Sequence, residues 1–169
     1  MTLVVKRLIL FCLLFLSGCS KAILQDFSGE IYGTTYSIKI AENSSYANLE
    51  SKIKNELKRV DYVFSTYKPS SEISLINNDN DLEWSNEFRN LYETSMEISA
   101  LSGGAFLPKD NNGYDFSAIG KGYAIDKIAE LVEQNGVKNY FIEIGGEIRS
   151  KGSKFKENWI FGIERPINS

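Results

Sequence analysis

The chain has 169 residues, 43% hydrophobic, 12% aromatic and 24% charged, which is a globular composition and not a disordered one. Its 22 acidic and 19 basic residues leave a net charge of −3 without a basic stripe, which argues against nucleic acid and anionic lipid as binding partners. It contains no histidine, so histidine general-base catalysis and imidazole metal ligation are closed to these residues.

The first residues read as a bacterial lipoprotein signal. Lys6-Arg7 is the basic region, Leu8 to Leu16 is an unbroken apolar run, and Leu16-Ser17-Gly18-Cys19 ends on a cysteine that can be acylated. The run is too short to span a bilayer, which takes about 20 residues. Residues 1–18 are therefore expected to be a cleaved signal, residues 19–26 a lipidated tether and residues 27–169 a single domain. Acyl chains on Cys19 would hold the protein to a membrane of the cell envelope, facing the periplasm. Ser20 leans towards the outer membrane, but inner or outer stays open. Cys12 leaves with the signal and Cys19 takes lipid, so no thiol is left for a disulfide or a nucleophile.

Beyond the tether, Phe27 to Ile40 reads as extended, with Tyr36, Ile38 and Ile40 alternating with polar residues and Gly33 marking a bulge or a close approach. Asn43-Ser44-Ser45 is positioned to cap a helix whose residues Leu49, Ile53, Leu57 and Val60 share one face, ending near Phe64. Ser65 to Asn77 is rich in turn residues. Ser85 caps a second helix with Phe88, Leu91, Tyr92, Ile98 and Leu101 on its inner side, stopped by Gly103-Gly104. Asp110 to Tyr114 is a polar loop. A third helix from about Ala118 carries Ile125, Ile128, Leu131 and Val132 and ends at Gly136. Tyr140 to Ile144 is a strand, Gly145-Gly146 a turn, Glu147 to Arg149 a return strand, and Trp159 to Ile163 a last strand. One strand region, three main helices and then several strands predict an α+β domain with a mixed or antiparallel sheet.

Three stretches carry candidate chemistry. In Ser65-Thr66-Tyr67 through Ser74, an aromatic beside hydroxyls can stack on a planar ligand and bond its edge. The competing reading is a capped turn in which Ser71 to Ser74 opens a short helix and Tyr67 is core. From Asp115 to Asp126, small residues at a helix start let backbone approach a ligand, free N–H groups suit phosphate, and Lys121 adds positive charge. Asp115 can accept a hydrogen bond, and a carbonyl such as that of Ala118 can ligate a hard cation. This segment matches neither a Walker loop nor a dinucleotide fingerprint, and tight helix-on-sheet packing explains its glycines equally well. The third stretch, Ile142 to Arg149, is a strand, a glycine turn and a strand. Its Glu143 and Glu147 face either solvent or a ligand.

In this order the segments resemble the FAD:protein FMN transferase family, the periplasmic flavin transferases of the ApbE type. The matching residues are Gly33-Thr34-Thr35-Tyr36-Ser37, Ser65-Thr66-Tyr67 with Ser71-Glu72-Ile73-Ser74 and Asn77, Ser102 to Phe106, Asp115 to Asp126, Gly145 to Arg149 with Gly152, and Trp159 with Gly162-Ile163 and Pro166. The resemblance implies a Mg²⁺-dependent transfer. FAD is split at its pyrophosphate, FMN is attached to a threonine of a membrane redox protein, and AMP is released. It also implies that Tyr67, Ala105 and Phe106 contact the flavin nucleotide, that Asp115 hydrogen-bonds FAD with Lys121 beside it, and that the Ala118 carbonyl contacts magnesium. Glu147 lies near the ligand segment without an assigned role.

Some positions depart from the family pattern. Tyr32 stands where the family has methionine, and Leu107-Pro108-Lys109 replaces the Asp-Pro-Thr that follows Gly-Ala-Phe. The stretch from Phe106 to Asp115 is short, and Ser169 precedes the segment that brings the family's histidine and its metal-binding aspartate and threonine. The resemblance thus covers about the N-terminal half of a typical member. Two further readings follow from these departures: a flavin-binding lipoprotein without catalysis, or an inactive, truncated member.

Overall fold

The computed structural model describes residues 22–79 and 81–163. The expected signal, Cys19 and residues up to Lys21 lie outside them. Strand β1 (Ile23–Ile31) pairs antiparallel with β2 (Thr34–Glu42). Residues 23–26, expected in the tether, are therefore part of the sheet. The extended stretch is two strands and not one. Tyr32 (φ 55°) and Gly33 (φ 71°) make the two-residue hairpin turn between them, where a bulge or a close backbone approach was expected. Such a turn needs positive φ at both positions, which is uncommon for tyrosine.

Helix α1 (Leu49–Phe64) follows. Its buried face is the expected one, Leu49, Ile53, Leu57 and Val60. Its N-cap is Asn48, in the left-handed region without a side-chain cap bond, and not the Asn43 to Ser45 run. The turn region contains a short helix α2 (Glu72–Asn78), where the Ser71 hydroxyl accepts from the Ser74 N–H at 3.3 Å. Helix α3 (Asn86–Leu101) is capped by the Ser85 hydroxyl, which accepts from the Phe88 N–H at 3.1 Å. Phe88 and Leu91 are buried, but Leu101, expected on the inner side, is 89% exposed. It sits at the last position of the helix, where the chain turns outwards through Gly103 and Gly104.

The polar loop is a small hairpin, β3 (Lys109–Asp110) and β4 (Gly113–Tyr114), with Tyr114 buried. Helix α4 (Ser117–Gln134) then crosses back to β5 (Tyr140–Ile144) and β6 (Glu147–Lys151). The main sheet has the order β1-β2-β5-β6 and is antiparallel throughout. Residues 159–163 form no strand. Trp159 and Phe161 instead lie against Phe141, each with ring centroids 5.9 Å away, while Ile160 and Ile163 remain exposed.

Two apolar cores result. In the first, Tyr36, Ile38 and Ile40 of β2 stand opposite Ile144, Ile142 and Tyr140 of β5, and α1 and α4 cover that face of the sheet. The second joins α2, α3 and β4 through Ile73, Ile76, Phe88, Leu91, Tyr114 and Phe116. Phe64 links the cores edge-on, 5.4 Å from Tyr123 and 5.9 Å from Phe116. No helix among the described residues is long and apolar enough to cross a membrane.

Candidate functional site

A cleft of about 210 Å³ opens where the two cores meet. Val60, Asp61 and Phe64 come from the last turns of α1, Ser65, Thr66 and Tyr67 from the loop after it, and Phe116, Ser117, Gly120 and Lys121 from the start of α4. Tyr32, in the β1–β2 turn, closes the remaining side. Its hydroxyl donates to the Leu57 carbonyl at 2.9 Å. Burial, helped by the negative charges of Asp61 and Glu56, pushes the Tyr32 phenol far above its ordinary value, so it stays a protonated donor.

Tyr67 and Lys121, far apart in sequence, thus share one cleft. Tyr67 is 92% exposed, which overturns its reading as a core residue and leaves its ring free at the cleft mouth. The Lys121 ammonium donates to the Gly145 carbonyl at 3.3 Å and pairs with Glu147 Oε1 at 3.1 Å. The glycine turn is needed for this approach. A Cβ on Gly145 would lie 2.8 Å from Thr34 Cγ2 and 3.1 Å from Lys121 Cδ. Glu143, the other carboxylate of that stretch, accepts from the Gly146 N–H at 2.6 Å and so braces the turn.

Asp115 accepts from the Ser117 N–H at 2.8 Å, placing its carboxylate at the start of α4, one residue before the lining Phe116. Ala118 lies exposed in the first turn of α4. Neither lines the cleft, but both adjoin residues that do. Ala105 and Phe106 stand apart from the lining, in the segment after α3, where the Phe106 N–H donates to the Ser102 hydroxyl at 3.4 Å.

Asp61 is the lining residue the sequence reading passed over. It is 6% exposed and forms an ion pair with Lys68. One signal was available: a carboxylate in the last turn of a helix opposes the helix dipole and calls for a nearby cation. Among the described residues no group of three or more histidine, cysteine, aspartate or glutamate side chains can hold a metal ion.

Residues 32–112 and 107–169 match the family model described as the ApbE family. The chain belongs to the ApbE family. It is 27% identical to the FAD:protein FMN transferase of Haemophilus influenzae, aligned over 92% of this chain and 63% of that protein. It is likewise 27% identical to the Vibrio cholerae protein of the same name, over 91% of this chain and 63% of the relative. The chain therefore spans less than two thirds of the length of these ApbE relatives. The flavin transferase ApbE structure from Vibrio cholerae superposes with a TM-score of 0.76 at 25% identity, covering 86% of this chain and 65% of its own. The apo flavinyl transferase ApbE of Pseudomonas stutzeri gives a TM-score of 0.76 at 22% identity over 85% of this chain and 66% of its own, a likeness of fold. The α+β architecture expected from the sequence is that of the ApbE fold.

Proposed function

We propose that this chain acts as an FAD:protein FMN transferase on FAD and a flavin-accepting membrane redox protein, a reaction for which the family resemblance implies Mg²⁺. The observation that carries the reading is the cleft. An exposed aromatic, Tyr67, and a lysine, Lys121, line it together, within a chain that matches the ApbE family from residue 32 onwards. At about 210 Å³ it is smaller than the roughly 300–1,000 Å³ of common ligand pockets, so it takes part of a dinucleotide and leaves the rest on the open rim.

In this reading Tyr67 stacks on the flavin ring, with Ala105 and Phe106 contacting the nucleotide from outside the cleft. Asp115 accepts a hydrogen bond from FAD. Lys121 faces the pyrophosphate and opposes the negative charge that grows in the transition state. The threonine hydroxyl oxygen attacks the phosphorus on the FMN side. The bond from that phosphorus to the bridging oxygen breaks, the hydroxyl proton leaves, and AMP departs with the bridging oxygen. Of the magnesium contacts the resemblance implies, the described residues offer the Ala118 carbonyl alone. Magnesium requires near-octahedral oxygen ligands, so these residues do not by themselves fit the ion. A second reading, a flavin-binding lipoprotein without transfer, needs only the ring of Tyr67 and the ammonium of Lys121 that line the cleft. Lys6-Arg7, the apolar run and Leu16 to Cys19 support removal of the signal and lipid anchoring through Cys19 in the cell envelope, facing the periplasm.

The test is one reaction of the full chain with FAD, Mg²⁺ and a candidate acceptor subunit, following flavin fluorescence, AMP and covalently bound flavin. AMP together with labelled acceptor is the expected result. Flavin binding without AMP selects the carrier, and no flavin binding overturns both readings.

A further inference from the structure

We propose that Asp61 and Lys68 form a positioning pair that fixes Tyr67 at the cleft mouth and thereby sets the affinity for a planar ring. The loop from Ser65 to Ser71 joins α1 to α2 and carries Tyr67 just before its central residue, Lys68. Both ends of the loop are tied down. The Ser65 N–H donates to the Asp61 carbonyl at 3.0 Å, which closes α1. The Ser65 carbonyl then accepts from the Lys68 N–H at 3.4 Å, the Ser71 hydroxyl at 2.6 Å and the Ser74 hydroxyl at 3.3 Å. The Ser71 N–H donates to the Lys68 carbonyl at 3.0 Å. These bonds hold the backbone of the loop against the start of α2.

Tyr67 takes no part in them, and its ring is almost fully exposed. Such a ring gains little from packing, so its direction is set by the residues on either side of it. Lys68, its neighbour, reaches back over the loop to the Asp61 carboxylate, which is buried in the cleft wall. Exposed ion pairs contribute little, because both side chains must be ordered against water. Here one partner is already ordered by burial, and removing the lysine leaves a buried carboxylate without its cation. The pair therefore couples the cleft wall to the residue next to Tyr67, and a ring held in place before binding costs less to order when a ligand arrives. The loop geometry is independent of the flavin reading. The ligand half of the proposal rests on that reading.

The experiment uses the full chain with Lys68→Met, Lys68→Arg, Tyr67→Ala and the Lys68→Met/Tyr67→Ala double variant. Two quantities are read: the backbone order parameter of Tyr67 in the free protein, and riboflavin affinity by fluorescence quenching. In Lys68→Met the order parameter is expected to fall from the rigid value of about 0.85 towards 0.6. Riboflavin affinity should drop about three- to tenfold, the equivalent of ordering one side chain on binding. Lys68→Arg should restore both, and Lys68→Met should have no further effect once Tyr67 is alanine. An unchanged order parameter overturns the positioning role. An affinity loss of the same size with and without Tyr67 overturns the claim that the pair acts through that ring. If the loop loosens as expected but riboflavin does not bind the wild-type chain, the positioning pair stands and the flavin reading falls.

Discussion

Lys121 reaches Glu147 at 3.1 Å and the Gly145 carbonyl at 3.3 Å, so this cleft-lining lysine is already engaged by the β5–β6 turn. A phosphate entering the cleft competes with Glu147 for the same ammonium. Glu147→Gln removes the competitor and leaves Lys121 in place. FMN affinity should rise about two- to fivefold, the scale of a half-exposed ion pair, with riboflavin affinity unchanged. Titration calorimetry with the two ligands checks this. Equal changes for both would show that Glu147 acts on the ring site and not on the charge.

The Gly145 turn is the second point of leverage. Gly145→Ala meets Thr34 at 2.8 Å in a backbone conformation with φ 57°, which L side chains rarely adopt. Strain of this kind costs about 1–3 kcal/mol. Thermal unfolding should register that loss, and FMN affinity should fall because Lys121 Cδ must also move from its 3.1 Å approach. A variant as stable as wild type would show that the turn relaxes freely.

Acid should weaken the contact between α1, α3 and α4. Burial raises the Glu87 carboxyl, but hydrogen bonds from Arg59 and Tyr123 and the charges of Arg59 and Lys127 outweigh it, holding the group below its ordinary value. A carboxyl lowered on folding contributes stability that is complete above its unfolded value and is lost as pH falls through the folded one. Melting curves from about pH 6 to about pH 3 should therefore fall more steeply for wild type than for Glu87→Gln. Parallel curves would remove Glu87 from the account.

Two apolar residues of α3 should respond to very different degrees. Phe88 is fully buried between Trp84, Tyr114 and Phe116, with ring centroids 5.0, 5.6 and 5.2 Å away. Phe88→Ala should destabilise by about 3–5 kcal/mol in urea unfolding. Leu101→Ser, at an exposed position, should stay within about 0.5 kcal/mol of wild type. A large loss at Leu101 would mean that a surface left open in this structure is covered in solution.

The sequence alone determined the parts governed by local periodicity and capping. The apolar face of α1, the caps at Ser71 and Ser85, and the β5–β6 hairpin over Gly145-Gly146 are legible because each depends on residues within a turn or two of one another. Motif order carried the family, since Ser65 to Ser74 and Asp115 to Asp126 are each legible within one short segment whatever lies between them. Only the tertiary structure decided the rest. Tyr32-Gly33 became a turn because β1 had a partner to pair with, a contact that no reading of strand alternation contains. Trp159 to Ile163 stayed out of the sheet because Trp159 and Phe161 found Phe141 instead of a strand edge. Asp61 entered the cleft, and Tyr67 stayed outside the core, because burial is settled by what packs across from a residue, here α4 against α1, and that partner lies more than fifty residues away in the chain.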